Sequence, residues 1–153
     1  MMMTVTQMNA YVQKFGSAYE KFLTPLAKQI DMPVKAVGIL LYVANNPLAN
    51  TAKDICRNLF MKQGIVSFHV DNLVKAGYLE RQAARGDRRV TKLVCTDKSR
   101  PIISRGRELQ KTFFENLTCG VSHENMKILK NCFDIFEKNI AAMTERKKKD
   151  EEI

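Results

Sequence analysis

The chain has 153 residues, enough for one compact core, and its 45% hydrophobic content supports such a core without approaching the composition of an integral membrane protein. The longest nearly unbroken apolar stretch, 36–44, falls far short of the roughly 18 residues that cross a bilayer, and the amino terminus lacks the charged-then-apolar layout of a secretory signal. A cytoplasmic protein without membrane contact is therefore expected, and the 25 Lys and Arg against 16 Asp and Glu, a net charge of +9, favour a polyanionic partner.

Between residues 8 and 26 the apolar residues Met8, Tyr11, Phe15, Tyr19, Phe22 and Leu26 recur at steps of three and four, the stripe of a long amphipathic helix. Pro25 and the turn at Asp31-Met32-Pro33 signal its end, and Pro33 suits the first position of a second helix reaching Asn45. Thr51 and Asp54 form an S/T-x-x-D/E capping pattern that opens a third helix, which runs to Leu59. After a short turn at Phe60-Met61, residues 63–75 form a fourth helix that buries Val66, Val70, Leu73 and Val74 and stops at Gly77.

Beyond Gly77 the period changes to two. Leu79, Arg81 and Ala83 alternate with Glu80 and Gln82, Arg85-Gly86-Asp87 makes a turn, and 90–95 return as the second strand of a β-hairpin. Thr96-Asp97 is expected to cap the next helix, with an irregular first turn because Pro101 lacks a backbone donor. Leu109, Phe113 and Leu117 share a stripe, and Ser122 with Asn125 opens a last helix. That helix carries Met126, Leu129, Phe133, Phe136, Ile140 and Met143 in a heptad-like seam, which asks for a helical partner. The tail 145–153 is expected to be a frayed helix end, and no internal repeat or low-complexity linker interrupts the chain.

Helix, tight turn, helix and hairpin in that order make a winged helix-turn-helix, whose second helix is sized for a DNA major groove. The fold class is thus mainly α with a small β-hairpin wing, set within a helical dimerisation domain. With Val66, Val70 and Leu73 turned inward, a step of about 100° per residue turns Gly64, Ser67, Phe68, Asp71 and Lys75 outward, with Lys62 and Gln63 at the helix start. These seven are the candidate reading residues. At the hairpin tip Arg85, Arg88 and Arg89 cluster beside Asp87, placed to reach a minor groove or backbone. An isolated turn of this composition would be read as a solvated surface, but its position directly after a helix-turn-helix favours the DNA reading.

Catalytic and metal chemistry find little support. Cys56, Cys95, Cys119 and Cys132 form no CxxC pair, and Cys119 with His123 supplies too few ligands for zinc, so no metal or cofactor is expected. His69 and His123 are the only histidines, and there is no nucleophile elbow, phosphate-binding glycine loop or HExxH pair, so the chain is not expected to be an enzyme. Cys56 and Cys95 read as core thiols and His69 as a packed residue at the edge of the fourth helix's buried face.

Residues 48–99 resemble the DNA-binding core of the MarR family, the multiple-antibiotic-resistance regulators. The resemblance rests on 51–59 for the first helix of the motif, on Val66-Ser67 through Leu73-Val74-Lys75-Ala76-Gly77-Tyr78-Leu79-Glu80-Arg81, and on Asp87-Arg88-Arg89 followed by Leu93 and Thr96. It implies a homodimer with a dimerisation helix at 1–33, a DNA-binding lobe at 34–96 and dimerisation helices at 97–153, in which Tyr11, Phe15, Met126, Leu129, Phe133, Phe136 and Ile140 contribute to the interlocked helices. The two lobes would engage successive major grooves of double-stranded DNA at a pseudo-palindromic operator, with Arg89 sent into the minor groove beside Asp87. It further implies a repressor modulated by a small aromatic effector bound among the first, second and fifth helices. Three residues depart from the family pattern: Phe68 replaces a polar or basic residue, Ser99 a glycine and Cys95 a leucine. Phe68 either meets a thymine methyl or changes the site preference, and it also leaves open a winged-helix dimer that binds another regulator rather than DNA. Oxidation sensing in the family relies on a cysteine in the first helix, whereas residues 1–33 contain none, which disfavours Cys119 and Cys132 as a redox switch.

Overall fold

A helix that is apolar on nearly every side must be surrounded, and helix α2 (Val34–Asn45) is such a helix, burying Ala36, Val37, Ile39, Leu40, Leu41 and Val43. The computed structural model describes residues 3–84 and 86–151, with the backbone alone for 87, 88 and 146–151. Around α2 are arranged α1 (Val5–Gln29), α3 (Ala52–Leu59), α4 (Gln63–Lys75), the strands β1 (Leu79–Ala84) and β2 (Asp87–Cys95), and α5 (Arg100–Leu117); α6 (His123–Glu151) closes the chain. Two compact units result, residues 1–114 and 115–153. Among the described residues no helix is long and apolar enough to cross a membrane.

Helix α1 starts at a reciprocal capping box: the Thr4 hydroxyl accepts from the Gln7 amide at 3.2 Å, and the Gln7 side chain accepts from the Thr4 amide at 2.9 Å. Of its two expected end signals, the turn at Asp31-Met32-Pro33 follows the actual end at Gln29, whereas the helix passes through Pro25. Leu23, Leu26 and Ala27 are buried on both sides of the proline, and this burial offsets the backbone bond that Pro25 cannot make. Pro33 also differs from expectation. With φ −60° and ψ 144° it caps α2 from outside rather than taking the first helical position.

The helix-turn-helix lies where the sequence placed it. Thr51 accepts from the Asp54 amide at 3.2 Å while the Asp54 carboxylate accepts from the Thr51 amide at 3.1 Å, closing a capping box on α3. Phe60 ends α3 in the left-handed region, at φ 52° and ψ 39°. Helix α4 ends in a Schellman motif: the Tyr78 amide donates to the Leu73 carbonyl at 2.9 Å and the Gly77 amide to Val74 at 3.0 Å, with Gly77 at φ +77°.

The strands pair antiparallel with Leu79 opposite Cys95 and Arg81 opposite Leu93, and the register shifts between Ala83 and Ala84. Among the described residues of the hairpin only Leu79 and Leu93 are buried, so the expected alternation is expressed at the wing's base. A second attachment holds that base. Leu93 donates its amide to the Asn50 carbonyl at 3.0 Å, and the Asn50 side-chain amide donates back to the Leu93 carbonyl at 2.8 Å.

The strand-to-helix junction corrects one expectation and meets another. Thr96 does not cap the next helix with its side chain; its hydroxyl donates to the Gly77 carbonyl at 2.6 Å instead. The irregular first turn expected from Pro101 is a 3-10 turn over Asp97–Ser99 that leads into α5. Ser99 is wholly buried there, its hydroxyl donating to the Thr96 carbonyl at 2.7 Å, which accommodates the polar residue found in place of glycine. Farther along α5, Phe113 meets Phe15, Tyr19 and Phe22 of α1, with ring centroids 5.4, 5.3 and 5.5 Å away. In the second unit the Ser122 hydroxyl accepts from the Asn125 amide at 3.1 Å and opens α6.

Gly106 sets the approach of α5 to α2. A Cβ added there would lie 2.4 Å from Cδ2 and 3.1 Å from Cγ of Leu41, a side chain that is itself buried and has little room to yield. Helix propensity alone favours alanine over glycine by about 1 kcal/mol, but overpacking a closed core costs about 1–3 kcal/mol. Gly106→Ala is therefore expected to lower the denaturant midpoint, and the same substitution combined with Leu41→Ala should cost less than the two separate losses added together.

Candidate nucleic-acid interface

The buried side of α4, formed by Val66, His69, Val70 and Leu73, fixes which side chains face outward. Lys62, Gln63, Gly64, Ser67, Phe68, Asp71 and Lys75 are all exposed, as the helical step requires. No side chain caps the start of α4, so its first amides point outward at the positive end of the helix dipole beside Lys62. Gln63 also joins Ala52, Lys53 and Cys56 in lining a cleft of about 370 Å³ where α3 meets the start of α4.

Two tertiary contacts shape this face. Asp71 is not simply presented to solvent, because Arg81 of β1 pairs with it; both side chains remain substantially exposed, so the pair orders the surface more than it stabilises the fold. Reading the sequence element by element missed Arg81. Its signal was present, since Arg81 follows buried Leu79 by two residues and so lies on the strand face turned toward α4. His69 is buried, as expected for a packed histidine, and its ring stands edge-on to Phe68 with centroids 5.3 Å apart. Burial lowers its basicity, and the Lys35 charge lowers it further.

On the wing, Arg89 is exposed in β2. Arg85 lies outside the described residues, as do the side chains of Asp87 and Arg88, although the strand that carries the latter two is in place. Lys98 supports the wing's base from below α4, donating to the Ala76 carbonyl at 2.6 Å with its ammonium 4.8 Å from the centre of the Tyr78 ring.

A cleft of about 320 Å³ opens among α1, α2, α3 and α5, with Tyr19, Leu23, Gly38, Tyr42, Met61 and Gln110 among its lining. Gln110 donates to the Tyr19 hydroxyl at 2.6 Å, and burial raises the Tyr19 phenol above its ordinary range. The aromatic stripe of α1 is therefore divided: Tyr19 joins a cleft wall, while Tyr11 and Phe15 are exposed at 64% and 49%. On α6, Met126 is partly covered and Leu129, Phe133, Phe136, Ile140 and Met143 are exposed. Cys56 and Cys95, expected in the core, are half-buried at its margin, Cys132 is half-buried and Cys119 is exposed. Among the described residues no three His, Cys, Asp or Glu side chains converge as metal ligands would.

Comparison with known proteins places this geometry in context. Residues 30–90, which include α2, α3, α4 and most of the wing, match the model of the MarR family. No curated protein matches the sequence. Among solved structures, a MarR protein from Peptoclostridium difficile has a TM-score of 0.73 at 18% identity, covering 92% of this chain and 93% of that one. A MarR-family transcriptional regulator from Listeria monocytogenes, complexed with 26mer DNA, has a TM-score of 0.75 at 13% identity over 93% and 91% of the two chains. The transcriptional regulator BldR from Sulfolobus solfataricus has a TM-score of 0.68 at 19% identity over 88% and 94%. At such identities the likeness is one of fold, and it extends through the helices on both sides of the matched segment.

The capping box that holds α3 against α4 yields a stability prediction. Thr51→Ala should cost about 1 kcal/mol in unfolding free energy, read from a denaturant titration. The Thr51 hydroxyl, and then its backbone amide, hold the Asp54 carboxyl below its usual range. Its contribution is therefore complete above about pH 4 and is lost as pH falls through the lowered native value, and Asp54→Asn should flatten that part of the acid limb.

Proposed function

From a central segment matched by the MarR family and a fold shared with its regulators along nearly the whole chain, we propose that this protein is a sequence-specific DNA-binding transcription regulator, acting as a homodimeric repressor at a pseudo-palindromic operator. The observation that carries the reading is the joint exposure of the outer face of α4 and of Arg89 on the attached wing, in a chain of net charge +9. A helix of that length fills a major groove, and the wing beside it reaches the neighbouring phosphates and minor groove. The fold neighbour from Listeria that is complexed with DNA supports the same use of the fold.

The dimer follows from apolar surface that lacks cover within one chain. Helix α1 exposes Met8, Tyr11 and Phe15, and α6 exposes Leu129, Phe133, Phe136 and Ile140 along one seam. Runs of large apolar side chains this long are seldom left in water, and a second copy offers the same runs in return. Two lobes related by a two-fold axis would meet half-sites about 34–36 Å apart. The effector site in this reading is the cleft at Tyr19, Tyr42 and Gln110, whose aromatic walls and few polar groups suit a small aromatic molecule. Such a ligand would release DNA by changing the separation of the lobes.

Exposure of Phe68 at 58% supports a second reading, in which the same face docks on another protein. Salt separates the two. If α4 and the wing bind phosphates, the logarithm of affinity for duplex DNA falls linearly with the logarithm of salt; Lys62→Ala lowers that slope by about one, and Arg89→Ala costs about 1–3 kcal/mol of binding. Affinity indifferent to salt and to both substitutions would favour the protein-docking reading. Phe133→Glu with Ile140→Glu should convert the dimer to monomers in sedimentation velocity and weaken operator binding.

A further inference from the structure

We propose that the outer face of α4 is built to read A·T pairs, with Phe68 packing on the C5 methyl group of a thymine and Gln63 bonding to an adenine in the same half-site. The proposal rests on the DNA-binding reading of α4 and specifies what that face recognises.

The first observation is what the face lacks. Guanine is most often read by an arginine fork on its O6 and N7 atoms, and α4, with the sequence QGIVSFHVDNLVK, contains no arginine. Its lysines stand at the two ends, Lys62 before the first turn and Lys75 in the last, with none between them. Arg81, on the strand that follows α4, is held by Asp71. The same pair engages the carboxylate that would otherwise accept from the amino group of a cytosine. Between those lysines, the charged groups that most often read a G·C pair are therefore absent or, at Asp71, already engaged.

The second observation is what the middle of the face offers. Gly64 has open space where a Cβ would stand, so the backbone can come close to the bases, and Ser67 adds little bulk one turn on. Phe68 projects beside them, 58% exposed, with its ring braced edge-on against buried His69. Its orientation is thus supported before any DNA arrives. A phenyl ring finds one apolar group on the floor of a major groove, the thymine methyl. Gln63 carries the donor and acceptor that match adenine N7 and N6, and it sits in the first turn, the part of a recognition helix that lies deepest.

Replacing thymine by deoxyuridine removes the methyl and keeps the base pair, which gives a direct test. Bound duplexes would first be selected from a random pool with the full chain, and each thymine in the resulting site then replaced in turn. One thymine in each half-site should respond, its loss lowering affinity about fourfold per methyl and about fifteenfold when both half-sites are changed. Phe68→Ala should bind the original and substituted duplexes equally while keeping the steep salt dependence, and Phe68→Leu should retain part of the discrimination. A selected site in which every substitution is silent, or whose contacted pairs are G·C, overturns the proposal and leaves the DNA-binding reading intact. Failure to bind any duplex at low salt overturns both.

Discussion

The enclosure of α2 is the constraint from which the rest of the lobe follows. Ala36, Val37, Ile39, Leu40, Leu41 and Val43 leave almost no side of that helix for water, so each neighbouring element must turn its own apolar face inward. For α4 this means that Val66, Val70 and Leu73 point in and the polar residues between them have one direction left. The outer face of α4 is thus a by-product of packing: it is whatever the core does not need. Ile55 of α3, Leu79 and Leu93 of the wing, and Ile102 and Ile103 of α5 are drawn into the same cluster, which fixes the wing and the helix-turn-helix on one support.

The parts of this fold that depend on neighbours in sequence were legible before the structure. Thr51 with Asp54 and Gly77 with its positive φ set the ends of α3 and α4 through bonds spanning a few residues, and the heptad spacing from Met126 to Met143 defined α6. What depends on distant partners was not legible. Pro25 reads as a stop until Leu26 and Ala27 are seen to be buried beyond it, and Thr96 reads as a cap until the Gly77 carbonyl is found within reach of its hydroxyl. At the candidate site the seven positions on α4 were placed by helical geometry alone, whereas the engagement of Asp71 by Arg81 needed the chain to turn back after Gly77.

The charge and the apolar surface of this chain are arranged for different purposes. Lysines flank α4 and an arginine stands on the wing, where long-range attraction to a polyanion assists encounter and adhesion without regard to sequence. Between them the surface is nearly neutral and carries a phenyl ring. In the DNA-binding reading proposed above, affinity and selectivity would fall to different residues, and a change in salt would weaken the first far more than the second. The exposed apolar seams of α1 and α6 belong to other helices than α4.

Asn50 ties the loop before α3 to β2 through two hydrogen bonds with Leu93, and Thr51 bridges to Lys92 just beyond. The residue that starts the helix-turn-helix is therefore stitched to the wing strand by adjacent main-chain positions. Tilting the hairpin against the helices would break these bonds. If α4 and the wing bind DNA as proposed above, they would travel together, as the blade and handle of a single tool, and a switch would have to carry the entire lobe toward or away from its target.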